Sequence, residues 1–313
     1  MSRKRIKTEL NTPIEKLHKQ GYNFISDNSS AAIKPCLWCK RSLRGGDQCY
    51  KHQFYGIESW RCVQMTPTLR CNQRCLFCWR SMEHEIITEE ELDPDTIIQS
   101  IPRLQKKGLS GEKIQSDPEM WNMAVNHPSQ YAISLAGEPT LYSKLPELID
   151  KLRLDGSSVF VVSNGTVPDM VRRIRPTQLY ISLDAADIET YVKLCRPIGD
   201  PYTMWNNIQE SLSLLQEKER IDEINTAIRI TLVKGYNDHN ITNFSNIINQ
   251  SLPKYIEIKG YMYLGYSRTR LSESSIPTMT DIRNFTMNIL SHTTDYQILN
   301  ENEPSKVICL KRV

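Results

Sequence analysis

The chain has 313 residues, 39% of them hydrophobic and 24% charged, with a net charge of +3. That composition excludes a disordered chain and leaves room for one large core or two small ones. No apolar run approaches the roughly 20 residues of a membrane-spanning helix, and the opening MSRKRIKTEL lacks the apolar stretch of a secretory signal. A cytoplasmic protein without membrane association is expected.

In chain order, residues 1–30 are polar, with a short helix expected from Thr12 and Pro13. Residues 31–60 are rich in Cys, Lys, Arg and Gly without a clear period, and read as a loop organised around a metal. From Trp60 onward, short apolar segments at 61–66, 131–135, 158–162, 178–183, 227–233 and 255–259 read as strands buried in a parallel sheet. Helical patterns fall between them at 94–107, 145–154, 167–174, 188–194, 204–219 and 241–250. This alternation indicates an α/β fold, a parallel sheet wrapped by helices and either open or partly closed into a barrel. Residues 108–129 interrupt the first crossover as a short helix or lid. A helix near 280–290 and a polar tail with a last apolar run, 307–310, complete the pattern.

Charge and cysteine are both unevenly spread. Residues 1–80 hold 15 Lys+Arg against 5 Asp+Glu, a balance of +10, whereas the rest hold 24 against 31, a balance of −7. A basic block on an acidic protein suggests a polyanionic partner, although a solvated face would look the same. Seven of the nine cysteines lie between Cys36 and Cys78. An odd count without a signal peptide argues against a disulfide framework and for metal binding.

Cys71, Cys75 and Cys78 form C-x₃-C-x₂-C directly after the first expected strand. Three thiolates on one tight loop can hold three irons of a [4Fe–4S] cluster and leave the fourth open. A zinc loop completed by a distant ligand is the alternative. With Phe77 before the last cysteine, the motif resembles that of the radical S-adenosylmethionine (SAM) superfamily. The resemblance implies a partial (β/α)6 TIM-like barrel, SAM bound through the open iron, and a 5′-deoxyadenosyl radical formed by reductive cleavage. It also assigns the strand-end motifs to SAM. Gly137 and Glu138 in SLAGEP would meet the methionine ammonium. Ser163, Asn164, Ser182 and Asp184 would hold its carboxylate and ribose, and Lys234 in VKGYN would face the adenine.

Cys36, Cys49 and Cys62 recur at thirteen-residue spacing, with Cys39 adding a C-x₂-C. The block around them, with CYKHQFYGIESWRCVQMTPTLRCNQRCLFCWR and later FVVSNGT, YISLDAAD and YIEIKGYMYLGYSR, is similar to the archaeal tRNA 4-demethylwyosine synthases of the wybutosine pathway. That resemblance implies a second [4Fe–4S] cluster on Cys36, Cys49 and Cys62. Cys39 is not part of that three-cysteine pattern and reads as a buried thiol or a spare ligand, with a mixed metal site that uses it as the alternative. It implies pyruvate as cosubstrate, with Lys51 as the residue forming an imine with it; a phosphate-contacting lysine is the plainer reading. The substrate would be N1-methylguanosine at position 37 of tRNA-Phe, with the basic block on phosphates. Eukaryotic relatives carry a flavodoxin-like domain ahead of this core, and nothing of that size precedes Cys36. An external donor of ferredoxin or flavodoxin type is therefore expected, serving a monomer. The expected division is a basic extension at 1–60, the radical SAM core at 61–270 and a C-terminal extension at 271–313. The rivals are a radical SAM enzyme acting on a peptide or small molecule, and a metal-stabilised RNA-binding module.

Overall fold

The computed structural model describes residues 13–26, 29–80 and 91–313. Ten strands form one sheet: β1 Asn23–Phe24, β2 Ala32–Ile33, β3 Cys62–Thr66, β4 Gln130–Ile133, β5 Ser158–Ser163, β6 Gln178–Ser182, β7 Asn225–Leu232, β8 Tyr255–Gly260, β9 Tyr296–Asn302 and β10 Val307–Arg312. From β3 to β8 every pairing is parallel and in chain order. Antiparallel additions flank this run, β1 and β2 beside β3 and the β9–β10 hairpin beside β8. The order ends at β1 and β9, so the sheet stays open.

Alternation along the strands divides the core. Val63, Met65, Tyr131, Ile133, Val159, Val161, Leu179, Ile181, Ile228, Ile230, Ile256 and Ile258 face outward. They pack on the helices Pro94–Gly108, Leu145–Arg153, Ile241–Ser251 and Met279–Leu290. The intervening residues Phe160, Tyr180 and Ala227 face the concave side and pack with Ile57 instead. Among the described residues, no helix is long and apolar enough to cross a membrane.

Two segments differ from the sequence expectation, residues 31–60 and the polar tail, whereas residues 108–129 meet it. Residues 31–60 are not a loop but contain the helices Leu37–Leu43 and Tyr50–Tyr55, and they add β2 to the sheet. Cysteines occupy both N-cap positions, Cys36 and Cys49. Cysteine is not a residue by which helix starts are recognised. Residues 108–129 form a helix, Pro118–Asn126, whose Trp121, Ala124 and Val125 pack against Cys39 and Leu43. The polar tail is an edge strand, β9, which explains its hydrophilic composition. Thr12 and the basic residues before it lie outside the described residues, and the first described helix is Pro13–Lys19.

Candidate active site

The loop after β3 brings Cys71, Cys75 and Cys78 to one cavity of about 380 Å³ at the C-terminal ends of the strands. Its course is set by neighbours on two sides. Leu76 N donates to Leu194 O (2.9 Å), Arg74 N to Cys195 O (3.1 Å), and Ile198 N to Asn72 O (2.8 Å). On the other side, Asn72 donates to Thr166 Oγ1 (2.7 Å) and accepts from Asn164 Nδ2 (2.9 Å). Arg270 donates to the carbonyls of Leu76 and Cys78.

The turn after β4 presses directly on this loop. Gly137 has φ +77°, and a Cβ there would lie 2.3 Å from Thr68 O, so a side chain would force the two segments apart. Glu138 N donates to Arg70 O at 2.7 Å. The Glu138 carboxylate is 2% exposed and accepts from Thr140 N (3.1 Å), Thr140 Oγ1 (2.6 Å), Ser163 Oγ (2.8 Å) and Asn164 N (2.7 Å). Four donors occupy its acceptor sites, so Glu138 and Ser163 lock the ends of β4 and β5 together. Ser182 and Asp184 also line the cavity. Asp184 accepts from Thr231 N at 2.7 Å, and burial pushes its carboxyl up to about 6. The Ser182 hydroxyl has no hydrogen-bond partner among the described residues and is available to a ligand.

Lys234 requires correction. It does not line the cavity but pairs with Asp281 (3.1 Å) on the outer helix Met279–Leu290, because Asn237 ties its loop back onto Asp184 O and Thr231 O (both 2.9 Å). That wall of the cavity is made instead by Gly260, Tyr261, Met262 and Leu264 after β8.

Beneath the cavity lies a buried charged layer in which Lys51 meets Glu257 and Arg229, two residues that the sequence does not single out. Glu257 accepts from Arg229 Nε (3.0 Å) and Nη2 (2.7 Å), from Tyr55 OH (2.7 Å) and from Tyr50 OH (3.3 Å). Burial alone would raise the Glu257 carboxyl, but Arg229 and Lys51 hold it below its usual range. Lys51, on the same helix as Tyr50, places Nζ 4.6 Å from the Phe160 ring centre and 5.3 Å from that of Tyr180. Burial pulls its ammonium below the usual lysine range, with Arg229 adding to this and Glu257, Cys62 and Cys49 opposing it. Arg229 and Glu257 had a legible signal, charge inside strands otherwise buried on both faces.

Cys36, Cys49 and Cys62 converge beside Lys51. Burial pushes the Cys62 thiol up, with Cys36 and Cys49 adding and Lys51 opposing, and Cys36 is likewise raised by burial. None of the nine cysteines is in a disulfide. Among the described residues no group of His, Cys, Asp and Glu is drawn together tightly enough for a single metal ion. Soft thiolate donors suit an iron–sulfur cluster or zinc and suit magnesium or calcium poorly. Burial disfavours free thiolates here, so any metal or cluster bound to them would displace protons. Cys39 lies close to Cys36 and Cys62, and burial with their charges pushes its thiol up. Its Sγ lies 3.7 Å from Trp60 O, in an apolar pocket with Leu43, Leu109 and Trp121. Cys39→Ala is expected to leave the iron content unchanged and to cost on the order of 1 kcal/mol in stability. Iron assay and thermal melting check both, and lost iron would place Cys39 among the ligands.

Residues 65–246 match the radical SAM superfamily, and residues 250–312 match the family of wyosine base formation. The chain is 39% identical over 310 residues to the S-adenosyl-L-methionine-dependent tRNA 4-demethylwyosine synthase of Pyrococcus horikoshii, covering 95% of this chain and 88% of that one. It is 36% identical over 306 residues to the enzyme of that name from Methanocaldococcus jannaschii, covering 94% of each. Among solved structures it is similar to TYW1 with a lysine-pyruvate adduct bound, at a TM-score of 0.84 and 33% identity over 96% of this chain and 95% of that one. The superfamily match covers the cysteine loop from Cys71 to Cys78 and most of the parallel sheet around the cavity. Taken with the near full-length relatives, this shows that the chain belongs to the tRNA 4-demethylwyosine synthase family of radical SAM enzymes.

Proposed function

We propose that this protein condenses N1-methylguanosine at position 37 of tRNA-Phe with pyruvate to form 4-demethylwyosine in wybutosine biosynthesis. The observation that carries this reading is the buried Lys51, set beside Cys49 and Cys62 and sharing the Tyr180 ring with Arg229 of the cavity lining. Membership of the family implies SAM and a [4Fe–4S] cluster. In this reading residues 1–60 bring a second such cluster, 61–270 form the catalytic core and 271–313 complete it from the C-terminus.

Bound at Cys71, Cys75 and Cys78, cluster and SAM would supply the radical that removes hydrogen from the N1-methyl group. The chain's own residues do the rest. The backbone at Gly137 and the groups of Ser182 and Asp184 orient the SAM methionine and ribose, while Glu138, Ser163 and Asn164 hold those segments in place. The Lys51 amine attacks the keto carbon of pyruvate, and loss of water leaves an imine. Cys36, Cys49 and Cys62 would hold the second cluster beside that carbon. The guanine must leave its stack to enter the cavity. Lys and Arg of the first 80 residues would contact phosphates rather than bases. A monomer in the cytoplasm, reduced by an external ferredoxin- or flavodoxin-type donor, completes the reading.

Anaerobic reconstitution followed by incubation with labelled pyruvate and N1-methylguanosine-containing tRNA tests it. About eight irons per chain and labelled 4-demethylwyosine are expected; about four irons would remove the second cluster, and a colourless zinc protein would reject the enzyme reading. Affinity for tRNA should fall steeply between about 50 and 200 mM salt, each lost phosphate contact reducing the slope by about 0.7–0.9. Salt-indifferent binding would remove tRNA from the scheme.

A further inference from the structure

We propose that Lys259 binds the carboxylate of the keto acid cosubstrate, forming an anion site between the buried lysine helix and the cavity. The inference rests on pyruvate being the cosubstrate of Lys51.

Lys259 lies on β8, two residues beyond Glu257, and pairs in register with Thr231 as Glu257 pairs with Arg229. Alternation puts all four on the concave face. This layer therefore gathers three basic side chains, Lys51, Arg229 and Lys259, around one carboxylate. Glu257 is 0% exposed and its oxygens are taken up by Arg229, Tyr50 and Tyr55. Lys259 has no hydrogen bond or ion pair among the described residues; Nζ lies 4.8 Å from the Tyr50 ring centre and the side chain lines the cavity. Lys259 is half-buried, and the carboxylate that opposes its charge, Glu257, is already taken up by other donors, so a further anion is favoured there. Burial, with Arg229 and Lys51 adding to it and Glu257 opposing it, brings the ammonium down to about 8. A monoanion bound from the cavity would offset that shift.

The site's neighbours identify the anion as a carboxylate on a carbon bonded to Lys51. Arg229 stacks on Tyr180 (4.5 Å), the ring that Lys51 also faces, and donates to the Tyr50 hydroxyl at 2.8 Å. Lys259 faces that same Tyr50. In a keto acid the carboxylate is one bond from the keto carbon, so imine formation at Lys51 carries it into this cluster. The methionine carboxylate of SAM has the same chemistry, and the experiment separates the two sources.

The test uses the reconstituted holoenzyme with borohydride trapping of labelled pyruvate and of methyl pyruvate, which has the keto group but no anion. Lys259→Met is expected to raise the pyruvate concentration for half-maximal trapping by about 10–100-fold, leave that for the ester unchanged, and leave the SAM requirement for cleavage unchanged. Lys259→Arg should restore most of the preference for the acid. Unchanged acid-over-ester preference in Lys259→Met would overturn the site, and so would an unchanged preference with a raised SAM requirement, which would assign the lysine to methionine. Trapping absent from the parent enzyme would overturn the cosubstrate reading itself, and the site with it. Ester trapping at the parent level shows that the variant is folded.

Discussion

Replacing Cys75 with alanine is expected to lower iron from about eight to about four per chain and to bring SAM cleavage to background. The same outcome is expected for Cys71→Ala and Cys78→Ala. The reason lies in the loop: its backbone is held by Leu194, Cys195 and Arg270, so it keeps its course when one thiol is removed, and two thiolates of the motif do not hold a cluster. Gly137 packs too close to Thr68 for the segment leading into Cys71 to slide. Iron assay and chromatographic measurement of 5′-deoxyadenosine check this, and parent-rate cleavage in any of the three variants would displace the cluster from this loop.

Lys51→Arg is expected to abolish both 4-demethylwyosine and the borohydride-trapped pyruvate adduct while deoxyadenosine continues to form. Arginine keeps the positive charge and the stacking on Phe160 and Tyr180. It cannot lose its proton to become a nucleophile. The substitution therefore separates charge from amine chemistry. Peptide mass spectrometry of the trapped parent should place the label on Lys51. A label elsewhere would transfer the role, and product formed by Lys51→Arg would reduce the residue to an electrostatic one.

The parallel strands were legible because each is a short apolar run between helical patterns, and the cysteine loop because its spacing is specific. The extension was not legible as helices. Its capping residues are cysteines, whose apolar neighbours Tyr50 and Phe54 pack on Val307 and Cys309 at the far end of the chain. The contrast between two lysines shows the limit of reading strand ends. Lys234 follows β7 in a polar turn typical of ligand loops, yet Asn237 and Asp281 turn it outward. Lys259 sits inside a strand that reads as structural, and only its inward parity shared with Glu257 puts it in the cavity. Glu138 was found by its motif, but its saturation by Thr140, Ser163 and Asn164 depends on tertiary contacts that spacing does not reveal.

The helix Tyr50–Tyr55 is held by residues far along the chain: Tyr50 meets Glu257 across 207 positions, and Gln53 meets Asn300 across 247. Such distant contacts raise contact order and slow folding. They also impose an order during synthesis. Cys49 and Lys51 leave the ribosome early, but the strands that seat their helix come last. The helix that carries Lys51 is therefore seated only once β8 and the β9–β10 hairpin have been made, and the loop of Cys71, Cys75 and Cys78 likewise waits for Arg270.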